Sequence, residues 1–466
     1  MQRLTAMVWL TLKAAFRSRL IWVLTALLIG GVVLLPLIVK DDGTARGFTQ
    51  ILLTYTLALT TGLLGFATLW LACGTLARDV EECQIQVVAV KPISRWEIWL
   101  GKFCGIMALN VILLTVAGGC VYLLLQWRAR KLPAAQQEIL RNEVLVARGS
   151  AREESTPDYD AEANRIFTDR LQAQARENQN PISNADADLL RKQIHAQVKA
   201  AYEVVPPGHR REWNVKLGFA SRGLQDQPLY LRIKFNTAQT TESGTFLGLW
   251  RVGDFESARA YEEVMSLAPD TFHEFKVPPN LFDNEGILTV NFINRNDTAL
   301  LFPLEDGFEV LYREGGFALN FVRGLCIILF WLAFLGAIGL AASSFLSFPV
   351  AAFVSMGVLI VGFSSGTISQ VLEQGTVGAV NHETGVADQP ALVDYVALPV
   401  FKGLLTLINM VEGFSPIDSL STGRSISWFE LTRAFLQICV LLSGVVAVIG
   451  IAIFNRRELA TAQGTN

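Results

Sequence analysis

The chain has 466 residues, 51% of them hydrophobic and only 17% charged, with a net charge of −3. An ordinary soluble domain carries about a quarter charged residues, so a wholly soluble architecture is excluded, and the near-neutral balance offers no electrostatic footprint for nucleic acid. Cys73, Cys83, Cys104, Cys120, Cys326 and Cys439 all lie in or beside apolar runs, which excludes a disulfide framework in the polar middle of the chain and makes them small packing residues.

Residues 1–20 set Leu4, Met7, Val8, Leu12, Phe16 and Leu20 among Arg3, Lys13, Arg17 and Arg19. This pattern suits an amphipathic helix lying in the membrane interface; the other reading is a plain cytoplasmic extension of the first span. The run 21–39 is long enough for a transmembrane helix and has no small-residue cleavage site before Lys40, unlike a signal peptide. Runs 51–77 and 103–127 follow, so residues 21–127 hold three spans with a charged cytoplasmic loop at 78–102 between the second and third.

A polar insert then begins. Residues 128–208 are rich in Ala, Gln, Glu and Arg, and predict helices at 134–148, 159–178 and 185–202, with breaks at Ser155-Thr156-Pro157, Asn180-Pro181 and Pro206-Pro207-Gly208. From 209 to 316 the period becomes two. Leu229, Leu231, Ile233 and Phe235 alternate with Tyr230, Arg232 and Lys234, and Leu288, Val290 and Phe292 with Thr289 and Asn291. Further strand-like runs at 213–219, 246–252, 271–277 and 308–312 predict an antiparallel β-sandwich, and 274–312 resembles carbohydrate-binding-like jelly rolls by general pattern. Trp250, Tyr261 and Phe282 are read as core or rim residues, the competing use being a sugar platform.

Apolar runs at 321–345 and 350–371 supply the fourth and fifth spans of segment 317–371. Within 372–430, residues 391–411 are apolar but carry Asp394, Pro399 and Lys402. They are expected to form short re-entrant or interfacial helices, because a seventh span would put Arg456 and Arg457 outside. The last span, 431–454, leads into a cytoplasmic tail ending at 466. Basic residues before the first span, between the second and third, and after the last put both termini in the cytoplasm. The insert is then extracytoplasmic. The expected fold is an α-helical polytopic membrane protein of about six transmembrane helices, in the cytoplasmic (inner) membrane, with an extracytoplasmic α+β insert containing a jelly-roll-like sandwich.

Catalytic signals are missing from the sequence. Gly101-Lys102 is followed by Phe103 rather than Ser or Thr, so no phosphate loop is present. His195, His209, His273 and His382 lack ligand spacing, and Asn296-Asp297-Thr298 is a chance-level sequon. The spans hold almost no ionisable groups, Arg323 and Arg433 lying near span ends, whereas an ion-coupled carrier keeps a buried carboxylate there. Gly101 with Gly105, Gly339 with Ser343, and Gly362 with Gly366 are small-residue pairs suited to close helix packing within the chain, or alternatively to a dimer seam.

The informative stretch is ARDVEECQIQVVAVKPISRWEIWLGKFCG, residues 77–105. Asp79, Glu81 and Glu82 open it, an amphipathic run covers 84–90, Pro92 breaks that run, and Ser94 with Glu97 three residues on forms a capping box for the next helix. This helix–break–helix elbow resembles the coupling region of ABC type-2 permeases. The family's frequent Gly-Thr near the start of its coupling helix is replaced here by Cys83 and Gln84. The segments 423–428 and 454–459 are similar to that family's closing pattern, and 340–349 to its serine–proline hairpin. The resemblance implies a permease subunit of an ATP-binding cassette transporter, an exporter or a mechanotransmitter. ATP and Mg would be bound by separate ATPase subunits and no cofactor by this chain, which would not itself be an enzyme. It would pair with a second copy or a related permease. Glu81, Glu82, Lys91, Pro92, Ser94, Arg95 and Glu97 would contact the ATPase. A reading of another class is a membrane-anchored binding or sensor protein acting through its sandwich, for which one anchoring helix would suffice.

Overall fold

A computed structural model describes residues 2–38, 44–82, 93–153, 159–177, 184–237, 244–253, 260–283, 285–304, 306–374 and 393–457. Two compact units emerge, one from Met1–Val146 with Gly316–Asn466 and the other from Ala147–Gly315.

The first unit is helical. It contains α1 (Gln2–Arg17), α2 (Arg19–Ile38), α3 (Ala45–Glu81), α4 (Arg95–Ala129) and the short α5 (Ala134–Ile139). The chain returns to it as α8 (Phe317–Ser343), α9 (Phe348–Phe363), α10 (Ser365–Gln374), α11 (Asp394–Glu412), α12 (Pro416–Ser421) and α13 (Trp428–Ala434), the last continuing through a π-helical stretch into α14 (Ser443–Arg456). Five described helical segments are long and apolar enough to cross a membrane, or up to seven if each of two bent pairs is one span. These long apolar helices mark a multi-pass membrane protein.

Local sequence explains the helix limits. Thr44 accepts the Gly47 N–H at 3.0 Å to start α3, Ser427 accepts the Glu430 N–H at 3.0 Å to start α13, and Pro349 sits in the first turn of α9, where its missing N–H costs nothing. The 37 residues of α3 extend about 55 Å at the α-helical rise, well beyond about 30 Å of hydrocarbon. Buried Leu52, Leu53 and Leu57 of α3, Leu109, Leu113 and Leu114 of α4, and Phe321, Ile328 and Leu332 of α8 form its central core. Thr49, Thr56 and Thr60 are buried in the same helix because each hydroxyl donates to the carbonyl four residues back.

Where short re-entrant or interfacial helices were expected, Asp394–Glu412 form one 19-residue helix with Pro399 inside it. Asp394 occupies the first turn, where a carboxylate suits the helix dipole, and Pro399, in the second turn, lacks the N–H that would bond the Tyr395 carbonyl. With α12 it makes a 28-residue segment that passes as a candidate span.

The second unit begins within β1 (Val146–Ala151) and continues as a helical hairpin of α6 (Tyr159–Glu177) and α7 (Asn184–Glu203). Ala163, Ile194 and Val198 form the hairpin's small core, and His195 hydrogen-bonds Asp160 across it. Ten further strands follow: β2 (Val204–Val205), β3 (Arg210–Lys216), β4 (Leu229–Ile233), β5 (Asn236–Thr237), β6 (Phe246–Val252), β7 (Tyr261–Leu267), β8 (His273–Val277), β9 (Ile287–Asn294), β10 (Leu300–Leu301) and β11 (Phe308–Gly316). They form three small sheets, ordered β1-β11-β4-β8, β2-β10-β5 and β3-β9-β6-β7. Pairings are antiparallel with register Leu231 opposite Val310, Trp213 opposite Val290 and Trp250 opposite Phe292.

The inward positions of all three sheets meet in one aromatic core. Trp213 stacks on Phe308 at 4.6 Å and Trp250 lies 4.7 Å from Phe292. Trp250 is 1% exposed, so it is a core residue and offers no platform to a sugar. The β3 edge is blunted by Glu153, which accepts the Asn214 N–H at 3.3 Å; burial raises its carboxyl above the usual range. Asn296 of the sequon is likewise engaged, its amide exchanging hydrogen bonds with the Leu247 backbone at 2.8 Å.

The insert differs from expectation at its start. Residues 146–148 are strand, not the end of a helix, which stops at Val144 after a π-helical turn. Gly149 in this strand admits the Tyr312 ring of β11, since a Cβ there would approach it within 2.5 Å. The strand expected at 213–219 is displaced to Arg210–Lys216, and Gly218–Gly223 forms a 3₁₀ turn.

Candidate functional site at one end of the helix bundle

The expected elbow residues gather where α3 ends and α4 begins. Residues 83–92, including Lys91, Pro92 and the amphipathic run, lie outside the described residues. Ser94 and Glu97 form the local structure that starts α4: the Ser94 N–H and hydroxyl both donate to Glu97 Oε2, at 2.9 and 2.8 Å. The carboxylate thereby satisfies an orphan donor at the helix start and sits at the positive end of the helix dipole.

Arg95 turns inward. Its Nη1 donates to the carbonyls of Phe454 at 3.0 Å, Asn455 at 2.7 Å and Arg457 at 2.7 Å. The last carbonyls of α14 have no intrahelical donors, so a guanidinium there both caps them and complements the negative helix end. Arg457 repeats the arrangement one helix further on, its Nη1 donating to the carbonyls of Ser343 at 3.4 Å and Ser344 at 3.2 Å, where α8 ends. Trp99, fully buried and one turn beyond Arg95, reaches the Ser344 hydroxyl with its indole N–H at 3.3 Å.

The acids complete the arrangement. Glu81, on the last turn of α3, accepts the Phe348 N–H at 2.8 Å and so caps the start of α9, while Arg78 lies over the Phe348 ring at 4.4 Å. Lys102 of α4 donates to the Thr75 carbonyl at 2.8 Å and to Asp79 at 2.5 Å. Glu82 follows as the C-cap of α3, its N–H donating to the Arg78 carbonyl at 2.8 Å. A core of Ala72, Leu76, Trp99, Ile106, Ala337, Leu340 and Phe454 lies among these same helices.

These contacts close a circuit. Arg95 joins α4 to α14, Arg457 joins α14 to α8, residues 344–347 join α8 to α9, Glu81 joins α9 to α3, and Asp79 with Lys102 joins α3 back to α4. Five helix ends are thus held in one ring, and the 83–92 segment is attached to it at α3 and α4. Of the expected residues, the ring includes Glu81 and Arg95, with Ser94 and Glu97 capping the helix that bears Arg95. Asp79, Trp99, Lys102 and Arg457 also take part. Their signal in the sequence was charge or aromaticity near helix ends, which does not name a partner helix.

α1 packs beside this end. A Cβ on Gly101 would lie 2.4 Å from the Met7 Cβ, and one on Gly105 2.6 Å from the Thr11 Cβ, so this glycine pair is the slot that receives α1. Gly339 serves similarly against Ala72 of α3, whereas Gly362 and Gly366 have nothing within 4 Å of an added Cβ. Among the described residues no cluster of three or more His, Cys, Asp or Glu is placed to hold a metal ion. No family model, curated protein or solved structure matches the chain.

Proposed function

We propose that this chain is the membrane-spanning permease subunit of an ATP-binding cassette transporter, an exporter or a mechanotransmitter, driven by a separate ATPase that docks on the elbow between Glu82 and Ser94. The observation that carries this reading is the ring: the elbow is inserted between two of five helix ends tied to one another by polar contacts. A force applied there enters several long apolar helices rather than a free loop. In this reading a nucleotide-driven change in the partner shifts the membrane helices between two states by differential contact, without chemistry in this chain.

The same reading gives the molecule its orientation. Arg78, Arg95, Lys102 and Arg457 cluster at the ring, and α1, with Arg3, Lys13 and Arg17, packs next to it; such a concentration belongs on the cytoplasmic side. α1 is bent 70° from Ile21–Pro36 and exposes Trp9 and Phe16, as an interfacial helix does. The insert then lies outside. Leaving aside its two-residue strands, its eight longer strands run first, eighth, third, sixth in one sheet and second, seventh, fourth, fifth in the other. That order supports a jelly-roll sandwich.

The test is purification of the tagged chain in mild detergent from its native host, with mass spectrometry of what remains bound. The expected outcome is a stoichiometric partner with a phosphate-binding loop, lost when Glu82→Lys and Lys91→Glu are combined. Those two positions are the better probes, because Arg95 and Glu81 hold the ring. Failure to retain any ATPase after crosslinking in the membrane would overturn the permease reading and leave the sandwich as the working part of a membrane-anchored binding protein.

A further inference from the structure

We infer that the five ring ends form one cooperative body, with Arg95 as the positioning residue that joins α14, and through it α8, to the start of α4. The geometry distinguishes this from a set of separate caps. Arg95 holds the Arg457 carbonyl at 2.7 Å, and Arg457's own guanidinium holds the end of α8. Removing the first contact therefore releases the backbone that positions the second. Trp99 supplies a parallel link from α4 to Ser344, and the short 344–347 connection passes any movement of α8 to the Phe348 N–H that Glu81 holds. Contacts that share a backbone segment in this way constrain one another, so their losses are not additive.

If the permease reading holds, the ring is the relay that spreads a displacement of the elbow over α8, α9 and α14. The unity of the ring does not depend on that reading. It is tested on the full chain alone, in lipid nanodiscs, by hydrogen–deuterium exchange with mass spectrometry. In Arg95→Ala, exchange is expected to accelerate about tenfold at the end of α14, matching the loss of charged hydrogen bonds, and also at the end of α8 and the start of α9. Glu81→Ala, whose side chain lies two links away, is expected to accelerate exchange at the end of α14. Arg46→Ala, which removes a bridge to Glu143 outside the ring, leaves all three regions unchanged. Acceleration confined to α14 in Arg95→Ala, or to α9 in Glu81→Ala, would overturn the inference by showing independent caps. Should Arg95→Ala fail to insert, Arg95→Met keeps the side-chain length but removes every donor, and the same distribution of exchange decides. Since no ATPase is present, failure here leaves the docking experiment untouched.

Discussion

The ammonium of Lys102 is held where water is scarce. The residue is 4% exposed, and its acceptors are the Thr75 carbonyl and the Asp79 carboxylate. Removing one member of a buried ion pair costs more than the pair contributes, because the remaining charge stays desolvated. Asp79→Asn is accordingly expected to lower stability by about 2–3 kcal/mol, below the full cost of a fully buried pair, since the Asp79 side chain remains 29% exposed. Combining it with Lys102→Met is expected to recover most of the loss. Thermal unfolding of the detergent-solubilised chain followed by circular dichroism measures both; an unchanged midpoint in Asp79→Asn would reduce the pair to a surface contact. At this scale the candidate site was partly legible. Ser94 and Glu97 are three residues apart, so their capping box could be read directly. The targets of Arg95 and Arg457 lie more than a hundred residues away along the chain, and no local pattern specifies which helix end a guanidinium will meet.

Helix α1 depends on a slot that only small residues provide. Valine at Gly105 would force its side chain into Thr11, and overpacking of this kind typically costs about 1–3 kcal/mol. Gly105→Val is therefore expected to dislodge α1 and speed tryptic cleavage at Lys13 and Arg17 in nanodiscs, while Gly362→Val, facing open space, leaves cleavage unchanged. Equal cleavage in the two variants would show that α1 is held by lipid rather than by α4. The spacing of Gly101 and Gly105 announced close packing, but its partner could not be named because small residues fit any approaching helix. The long apolar helices were legible because hydrocarbon demands continuous apolar runs with internal hydrogen bonding. Strand β7 was missed for the opposite reason: as an edge strand with Glu262, Glu263 and exposed Val264, it has little apolar alternation to reveal it.

Taken whole, the molecule separates its two kinds of packing into units with different cores. The insert leaves and rejoins the chain through β1 and β11, which are neighbours in one sheet, so its two ends lie side by side within its own fold. That arrangement lets a long polar segment interrupt a helical chain between one span and the next, as domain insertions do when their termini are close. The β-rich insert draws its stability from a cluster in which Trp213 contacts Trp250, Phe302 and Phe308, while the bundle core is made by α3, α4 and α8. Replacing a buried tryptophan by alanine costs about 3–5 kcal/mol, a large share of what one domain can spare. Trp213→Ala is thus expected to raise hydrogen exchange throughout β3, β4, β6, β9 and β11, leaving the middle of α3 and α8 as protected as before. Measured on the full chain in nanodiscs, faster exchange in those helix centres would mean that the two units unfold as one, and that their separate cores do not act separately.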